Sequence, residues 1–141
     1  MKKFGLFLLM TLVMCMSVKA DDDRVITYQQ LPQNAQAFLK QYFSKLVPLV
    51  VTMDWDDYTI MYESGEKIEF NKQGEWKEID CRVSHVPTAL IPEQIKSNVQ
   101  QSFPGTTIIK IDQNRRGFEV KLNNGLEIEY NRSYQVIDID D

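Results

Sequence analysis

Residues 65–71 read GEKIEFN, and residues 125–131, sixty positions later, read GLEIEYN. The match extends without a gap from these segments to residues 31–81 and 91–141. An internal repeat of this length is the sequence signature of one structural unit present twice. The sequence therefore predicts two tandem repeats, over residues 31–81 and 91–141, joined by a linker over residues 82–90.

Each repeat contains two alternating apolar segments on either side of a glycine. In the first repeat these are residues 58–62 and 66–71, and Gly65 lies between them. Alternation with period two predicts a strand, and glycine supplies the positive φ that a tight hairpin needs. With its neighbouring strands, each unit is predicted to have about four antiparallel strands. Further strands are predicted over residues 46–53, 76–81, 107–112 and 136–141.

A helix is predicted at the start of each repeat. Pro32 and Pro92 suit the first helical position, because proline has no N–H and none is needed there. Apolar residues then recur at three- and four-residue spacing from Ala35 to Leu46, and in a narrower stripe from Ile95 to Phe103. Such stripes are typical of helices that pack on a core. The predicted fold class is therefore α+β, with two helix-plus-four-strand antiparallel repeats whose helices and strands share a core.

The first twenty residues have the pattern of a secretory signal peptide. Lys2 and Lys3 precede an apolar run, and residues 18–20 (VKA) offer small residues at the cleavage site. We expect cleavage after Ala20, which leaves residues 21–141 as a single compact domain. The alternative is lipid attachment at Cys15, although Met14 stands where a small residue is expected. Residues 21–30 are polar and are predicted to be loosely held.

The composition limits the possible partners. The chain has 16 basic and 20 acidic residues, and loss of residues 1–20 removes three lysines, so the remaining net charge is 13 − 20 = −7. An acidic, exported protein argues against nucleic acid as a partner. No segment after residue 20 is long and apolar enough to be a transmembrane segment. Cys81 is then the only cysteine, either a buried small residue or a thiol that pairs between chains. We expect a monomer or a weak dimer.

The sequence predicts no catalytic residue, no metal site and no cofactor, and hence no enzyme. His85 is the only histidine, so a histidine triad or a multi-histidine metal site lacks members. Cys81 and His85 lie four residues apart, but a Cys–His nucleophile also needs a cleft and an orienting group. The acidic segment 54–57 lacks the glycine and distal glutamate of an EF-hand, so we predict a connection between strands there.

Alternation also assigns the two faces of the predicted sheet. Apolar residues such as Ile60, Phe70, Ile137 and Ile139 would face the helices, and the intervening residues would face solvent, as antiparallel sheets allow. An exposed tryptophan among charges is typical of a binding surface, and Trp76 would be its anchor. The candidate binding residues on this open face are Met61, Lys67, Glu69, Trp76, Glu78, Glu129 and Asp138.

The paired helix starts Leu31-Pro32 and Ile91-Pro92, the segments from Gly65 to Asn71 and from Gly125 to Asn131, and the turn Gly74-Glu75-Trp76 resemble the PepSY-like family. These are small exported bacterial proteins described as β-lactamase-inhibitor-like. The resemblance implies a curved, largely antiparallel sheet with the helices on its convex side. It also implies that the concave side, which would carry Glu69 and Trp76, clamps another protein. This chain lacks the paired disulfides of the β-lactamase inhibitory protein and is shorter, so that inhibitor's target does not carry over.

Two functions remain after these observations. The first is a non-enzymatic, exported module that binds an envelope protein or peptide through the open face, as an inhibitor or regulator. Related PepSY domains accompany peptidases, which agrees with this first function at the level of fold. The alternative is a small-molecule or metal-ion binding protein of the cell envelope, periplasmic or secreted, that uses the cleft between the repeats or the acidic loops.

Overall fold

The computed structural model describes residues 23–141, and the expected signal peptide lies outside them. Over this range the chain has two α-helices and nine β-strands, which confirms the α+β class. Helix α1 spans Gln33–Tyr42 and helix α2 spans Glu93–Ser102. The strands are β1 (Arg24–Ile26), β2 (Pro48–Met53), β3 (Asp57–Tyr62), β4 (Lys67–Asn71), β5 (Trp76–Asp80), β6 (Ile108–Gln113), β7 (Gly117–Leu122), β8 (Glu127–Asn131) and β9 (Val136–Asp140).

All nine strands belong to one antiparallel sheet, in the same order as along the chain. Helix α1 and β2–β5 occupy residues 33–80, which we call the first unit. Helix α2 and β6–β9 occupy residues 93–140, the second unit. The two units meet where β5 pairs with β6, with Ile79 opposite Ile111. The sheet therefore runs without interruption from β1 to β9.

Both helices contact the same side of the sheet. The ring of Phe38 in α1 meets the ring of Phe70 edge-on, with centroids 5.7 Å apart. The Tyr130 hydroxyl donates a hydrogen bond to Asn98 Oδ1 in α2 at 2.7 Å. A line of paired, fully buried side chains joins these two contacts across the sheet, so the core lies between this side and the helices. The line consists of Ile68, Ile79, Ile111, Val120 and Ile128.

The predicted hairpins are present where the glycines indicated them. Gly65 joins β3 to β4 with φ of +107°, and Gly125 joins β7 to β8 with φ of +94°. These φ values lie in the region that glycine tolerates and other residues seldom adopt. The two glycines therefore fix the register of both hairpins.

Two expectations about the ends of the sheet are wrong. Residues Arg24–Ile26 are not loosely held but form the edge strand β1, with Ile26 opposite Val51. Ile137 and Ile139 were expected to be covered by the helices, but they are 53% and 49% exposed. The reason is that β9 is the other edge strand, with no strand beyond it among residues 23–141. None of the helices in this range is both long and apolar enough to cross a membrane.

Candidate functional site: an acidic row across the open face

Six carboxylates lie side by side across six neighbouring strands. Their residues are paired in register from β4 to β9, and all except Asp138 lie next to a buried core residue in their own strand. Because successive side chains of a strand point to opposite faces, the carboxylates point away from the helices. We call this side of the sheet the open face and the line of carboxylates the acidic row. The acidic row consists of Glu69, Glu78, Asp112, Glu119, Glu129 and Asp138.

Lysines partly neutralise the row near the junction of the two units. Lys67 Nζ lies 3.0 Å from Glu78 Oε2, and Lys110 Nζ lies 3.5 Å from Glu78 Oε1. Burial of Glu78 disfavours its charged form, but the two lysines outweigh burial and lower the pKa of this carboxyl. Glu78 is therefore a carboxylate held in an ion-pair network within the acidic row.

Asp112 is paired with Glu78, but its pKa is shifted in the opposite direction. Its Oδ1 atom is buried and has no hydrogen-bond partner among residues 23–141. Burial raises the pKa of Asp112 to about 7; the charges of Glu78 and Glu119 act in the same direction, and Lys110 opposes them. This carboxyl therefore changes charge near neutral pH.

Beyond Asp112 the negative charge becomes denser. Glu119 and four further carboxylates line a small hollow of about 70 Å³ on β7–β9. Burial raises the pKa of Glu119, and the charges of Glu127 and Glu129 add to this. Lys121 Nζ lies 3.7 Å from Glu127 Oε1, but no lysine contact reaches Glu129 or Asp138 within the described range. We call this the acidic hollow; its residues are Glu119, Glu127, Glu129, Asp138 and Asp140.

The acidic hollow is not a formed metal centre. In residues 23–141 no three Asp, Glu, His or Cys side chains are placed to share one metal ion. A calcium ion takes six to eight oxygen ligands at 2.3–2.6 Å in typical sites, so the carboxylates would have to rotate together to hold one. The arrangement as it stands is a strongly negative surface that favours cationic groups.

Most of the predicted binding residues lie on the open face. Met61 pairs with Lys67 beside the acidic row, and the other members are in the row itself. The prediction that these residues bind a partner is not tested by their position. The predicted residues on the open face are Met61, Lys67, Glu69, Glu78, Glu129 and Asp138.

Trp76 is the exception, and its predicted face is wrong. A bulge between β4 and β5 pairs Glu69 with Glu78 but Phe70 with Trp76, which leaves Lys77 as the extra residue. A bulge breaks strict alternation and redirects the side chain next to it. The Trp76 side chain therefore packs against the core. It also lines a groove of about 670 Å³ together with Lys77, Gln113, Arg115 and Arg132.

Sequence analysis missed Asp112 and Lys110 as members of the site. Both lie on β6, whose pairing with β5 brings them next to Glu78. That pairing joins residues thirty or more positions apart, and no local pattern indicates it. The available signal was the alternation of Lys110 and Asp112 with buried Ile111.

The other candidate groups lie away from the acidic row. Cys81 is buried, and burial raises its pKa to about 12, so it is a thiol at neutral pH, as a small core residue would be. His85 lines a cavity of about 310 Å³ between α2 and the start of β6, with Ile91, Lys96 and Val99 among its walls.

The acidic segment 54–57 connects β2 to β3, as predicted. Asp54 Oδ1 accepts hydrogen bonds from the N–H groups of Asp56 and Asp57 at 2.8 and 2.7 Å. An aspartate that binds the backbone two and three residues ahead stabilises a turn. Asp57 in turn forms an ion pair with Lys77 at 2.8 Å.

Comparison with known proteins identifies a family and solved structures to which this chain is similar. A protein-family profile described as "Putative beta-lactamase-inhibitor-like, PepSY-like" matches residues 56–138. A search of curated proteins found no match.

Three crystal structures from Bacteroides have the same fold. A "putative periplasmic protein" of the DUF2874 family from Bacteroides vulgatus is 41% identical, with a TM-score of 0.82, over 86% of this chain and 99% of its own. A "putative calcium-regulated periplasmic protein" from Bacteroides thetaiotaomicron is 38% identical, with a TM-score of 0.84 over the same shares. A second Bacteroides vulgatus protein, of unknown function, is 30% identical, with a TM-score of 0.80 over 84% and 99%.

Proposed function

Because this chain belongs to the PepSY-like family, whose solved relatives are described as periplasmic, we propose that it is a non-enzymatic, exported module that binds a basic segment of an envelope protein through its open face. In this proposal a signal peptide over residues 1–20 directs export, and the two units form one curved sheet with the helices on the far side. The observation that carries the proposal is the acidic row.

The charge distribution supports a basic partner. The acidic row presents six carboxylates along one line, and those of Glu129 and Asp138 have no lysine contact in the described part of the chain. Lysine and arginine side chains of a partner would complement this line, and such complementarity sets specificity and association rate. Met61, 40% exposed, offers apolar area at the edge of the same face.

Other features support a non-enzymatic role. The only histidine lies at the cavity beside α2, and the only cysteine of the described residues is buried as a thiol. A nucleophile would need an accessible, deprotonated thiol next to a base. The open face itself offers carboxylates, of which Glu78 and Glu127 form ion pairs with lysines while Glu129 and Asp138 have none among the described residues.

The test is a comparison of two triple variants with equal net charge. In the first, Glu119→Gln, Glu129→Gln and Asp138→Asn remove three carboxylates of the acidic row. In the control, Glu63→Gln, Glu93→Gln and Asp56→Asn remove three exposed carboxylates elsewhere. Each protein would carry a photo-crosslinker at position 69, with a further control at position 40 on α1.

The proposal expects one discrete crosslinked envelope protein with the parent and with the control triple variant. The row variant should not capture this protein, and neither should a probe at position 40. Equal capture by both triple variants would contradict binding through the acidic row. Capture from position 40 alone would place the partner on the helical side.

A second candidate function, calcium binding, is favoured by the acidic hollow and by the description of one solved relative as calcium-regulated. Calcium would draw the carboxylates of β7–β9 together and neutralise their repulsion. A ligand that binds only the folded state raises the melting temperature. Calcium at millimolar concentration should therefore stabilise the parent and the control triple variant but not the row variant. The absence of a shift in the parent, or an equal shift with magnesium, would contradict a calcium site.

A further inference from the structure

The pairing of β5 with β6 is a template for what the edge of β9 can bind. At this joint Ile79 lies opposite Ile111, and Asp80 lies opposite Lys110. Both isoleucines are fully buried. The joint thus places an apolar pair on the core side and, on the open face, Asp80 opposite Lys110 next to Glu78 opposite Asp112. Asp80 forms its ion pair with Arg82, and Lys110 forms its shorter one with Glu78. Cross-strand pairs of apolar residues and of opposite charges stabilise sheets.

Strand β9 has the same residues as β5 at these positions. Ile139 and Asp140 pair with Ile128 and Glu127 of β8, as Ile79 and Asp80 pair with Ile68 and Lys67 of β4. On its other side β9 has no neighbour among the described residues. Ile139 is consequently 49% exposed, whereas Ile79 is fully buried.

The backbone of β9 presents free hydrogen-bonding groups toward this edge. In the first unit the Cys81 N–H donates to Ile109 O across the joint at 2.7 Å. Alternate residues of a strand direct their N–H and C=O groups to the same side, so Ile79, two residues earlier, also faces β6. By the same geometry the N–H and C=O of Ile139 face outward. An edge with such unpaired groups is a template for an added strand.

We propose that the β9 edge binds an extended segment of another protein by antiparallel strand addition. The segment would place an aliphatic residue opposite Ile139 and a lysine or arginine opposite Asp140, as Ile111 and Lys110 do for β5. This edge adjoins the acidic row, whose Asp138 lies on β9, but strand addition uses the backbone groups of β9 and so goes beyond binding through the open face. A second β9 is a poor occupant, because Asp138, Asp140 and Asp141 would meet their own like charges.

The probe is a synthetic peptide with the sequence of residues 106–115 of this chain, which contains β6. The protein would be titrated with the peptide while backbone amide signals are followed by NMR, and affinity would be measured by fluorescence anisotropy of labelled peptide. The proposal expects shifts and slowed hydrogen exchange confined to β9. Ile139→Pro removes the outward N–H without removing a β8 bond, and it should weaken binding at least tenfold, about 1.4 kcal/mol.

A charge exchange keeps the test valid if the proline variant fails to fold. Asp140→Lys should weaken binding about three- to tenfold, and a peptide with aspartate in place of its lysine should bind that variant better than it binds the parent. Asp56→Lys, in the β2–β3 connection, is the control of equal charge. The proposal is overturned by the absence of binding, by signals that map to β1 or the open face, by equal losses in both lysine variants, or by a dimer through β9.

Discussion

The two units have the same order of helix and strands, but their last strands have different neighbours in the shared sheet. In the first unit, β5 is covered along its outer edge by β6, and Ile79 is fully buried. In the second unit, β9 is an edge strand, and Ile139 is 49% exposed. The same residue type at equivalent positions is core in one unit and surface in the other. Burial is therefore decided by the neighbouring strand and not by the local sequence.

The contacts between helix and sheet also differ between the two units. Phe38 in α1 packs its ring against Phe70 and against Tyr42, with centroid distances of 5.7 and 5.0 Å. In the second unit Asn98 stands in the place of Phe38 and accepts a hydrogen bond from Tyr130. The first unit thus relies on aromatic packing where the second uses a polar contact and leaves a cavity of about 310 Å³ beside α2.

The largest expected effect is a difference between equivalent truncations of the last strand in each unit. Ile79→Ala creates a cavity at the junction of the units and should lower the free energy of unfolding by about 2–4 kcal/mol. Ile139→Ala removes a half-exposed side chain and should cost less than about 1 kcal/mol. Urea unfolding of both variants measures the difference. Equal losses would mean that β9 is covered in solution, by a second copy or by an uncharacterised segment.

The next effect is a pH dependence of stability that arises in the second unit and not at the equivalent position of the first. Asp112 stands where the first unit has Thr52. Its pKa is raised from 3.8 in the unfolded chain to about 7 in the folded protein, mainly by burial. The folded state therefore retains a proton that the unfolded state has lost, and stability should fall as pH rises from about 4 to about 7.

Asp112→Asn removes this titration. Between pH 5 and pH 8, the unfolding free energy of the variant minus that of the parent should rise by about 1–2 kcal/mol. This is less than the full pKa shift of Asp112 would give, because the Asp112 side chain is 29% exposed. Thermal unfolding at the two pH values measures it, and Thr52→Asn is the matched control with no expected pH dependence. If that difference fell between pH 5 and pH 8, Asp112 would be held ionised in the folded protein.

The sequence predicted local structure well and long-range pairing poorly. Alternation over residues 58–62 predicted β3, which spans Asp57–Tyr62, and Gly65 marked its hairpin. These features depend on residues that are close in the chain. The bulge that turns Trp76 toward the core breaks the alternation on which its predicted face rested.

The acidic row could be predicted only in pieces for the same reason. Glu69 and Glu129 were recognised from the alternation of their own strands. Asp112 enters the row through the pairing of β5 with β6, and its buried oxygen follows from that contact. Nothing in residues 107–112 alone indicates which strand lies beside them. The candidate site is thus a property of the assembled sheet, because six separate strands supply its six carboxylates.

The smallest expected effect concerns the polar contact that replaces aromatic packing in the second unit. Tyr130→Phe removes the hydroxyl that donates to Asn98 Oδ1 at 2.7 Å and should lower the free energy of unfolding by about 1 kcal/mol. Adding Asn98→Phe recreates the ring pair of Phe38 and Phe70, so the double variant should recover at least half of that loss. Urea unfolding of the parent, the single variants and the double variant gives a double-mutant cycle. If the double variant were less stable than Tyr130→Phe alone, α2 would lie too close to the sheet for a second ring, and the cavity beside it would be a consequence of helix position and not of smaller side chains.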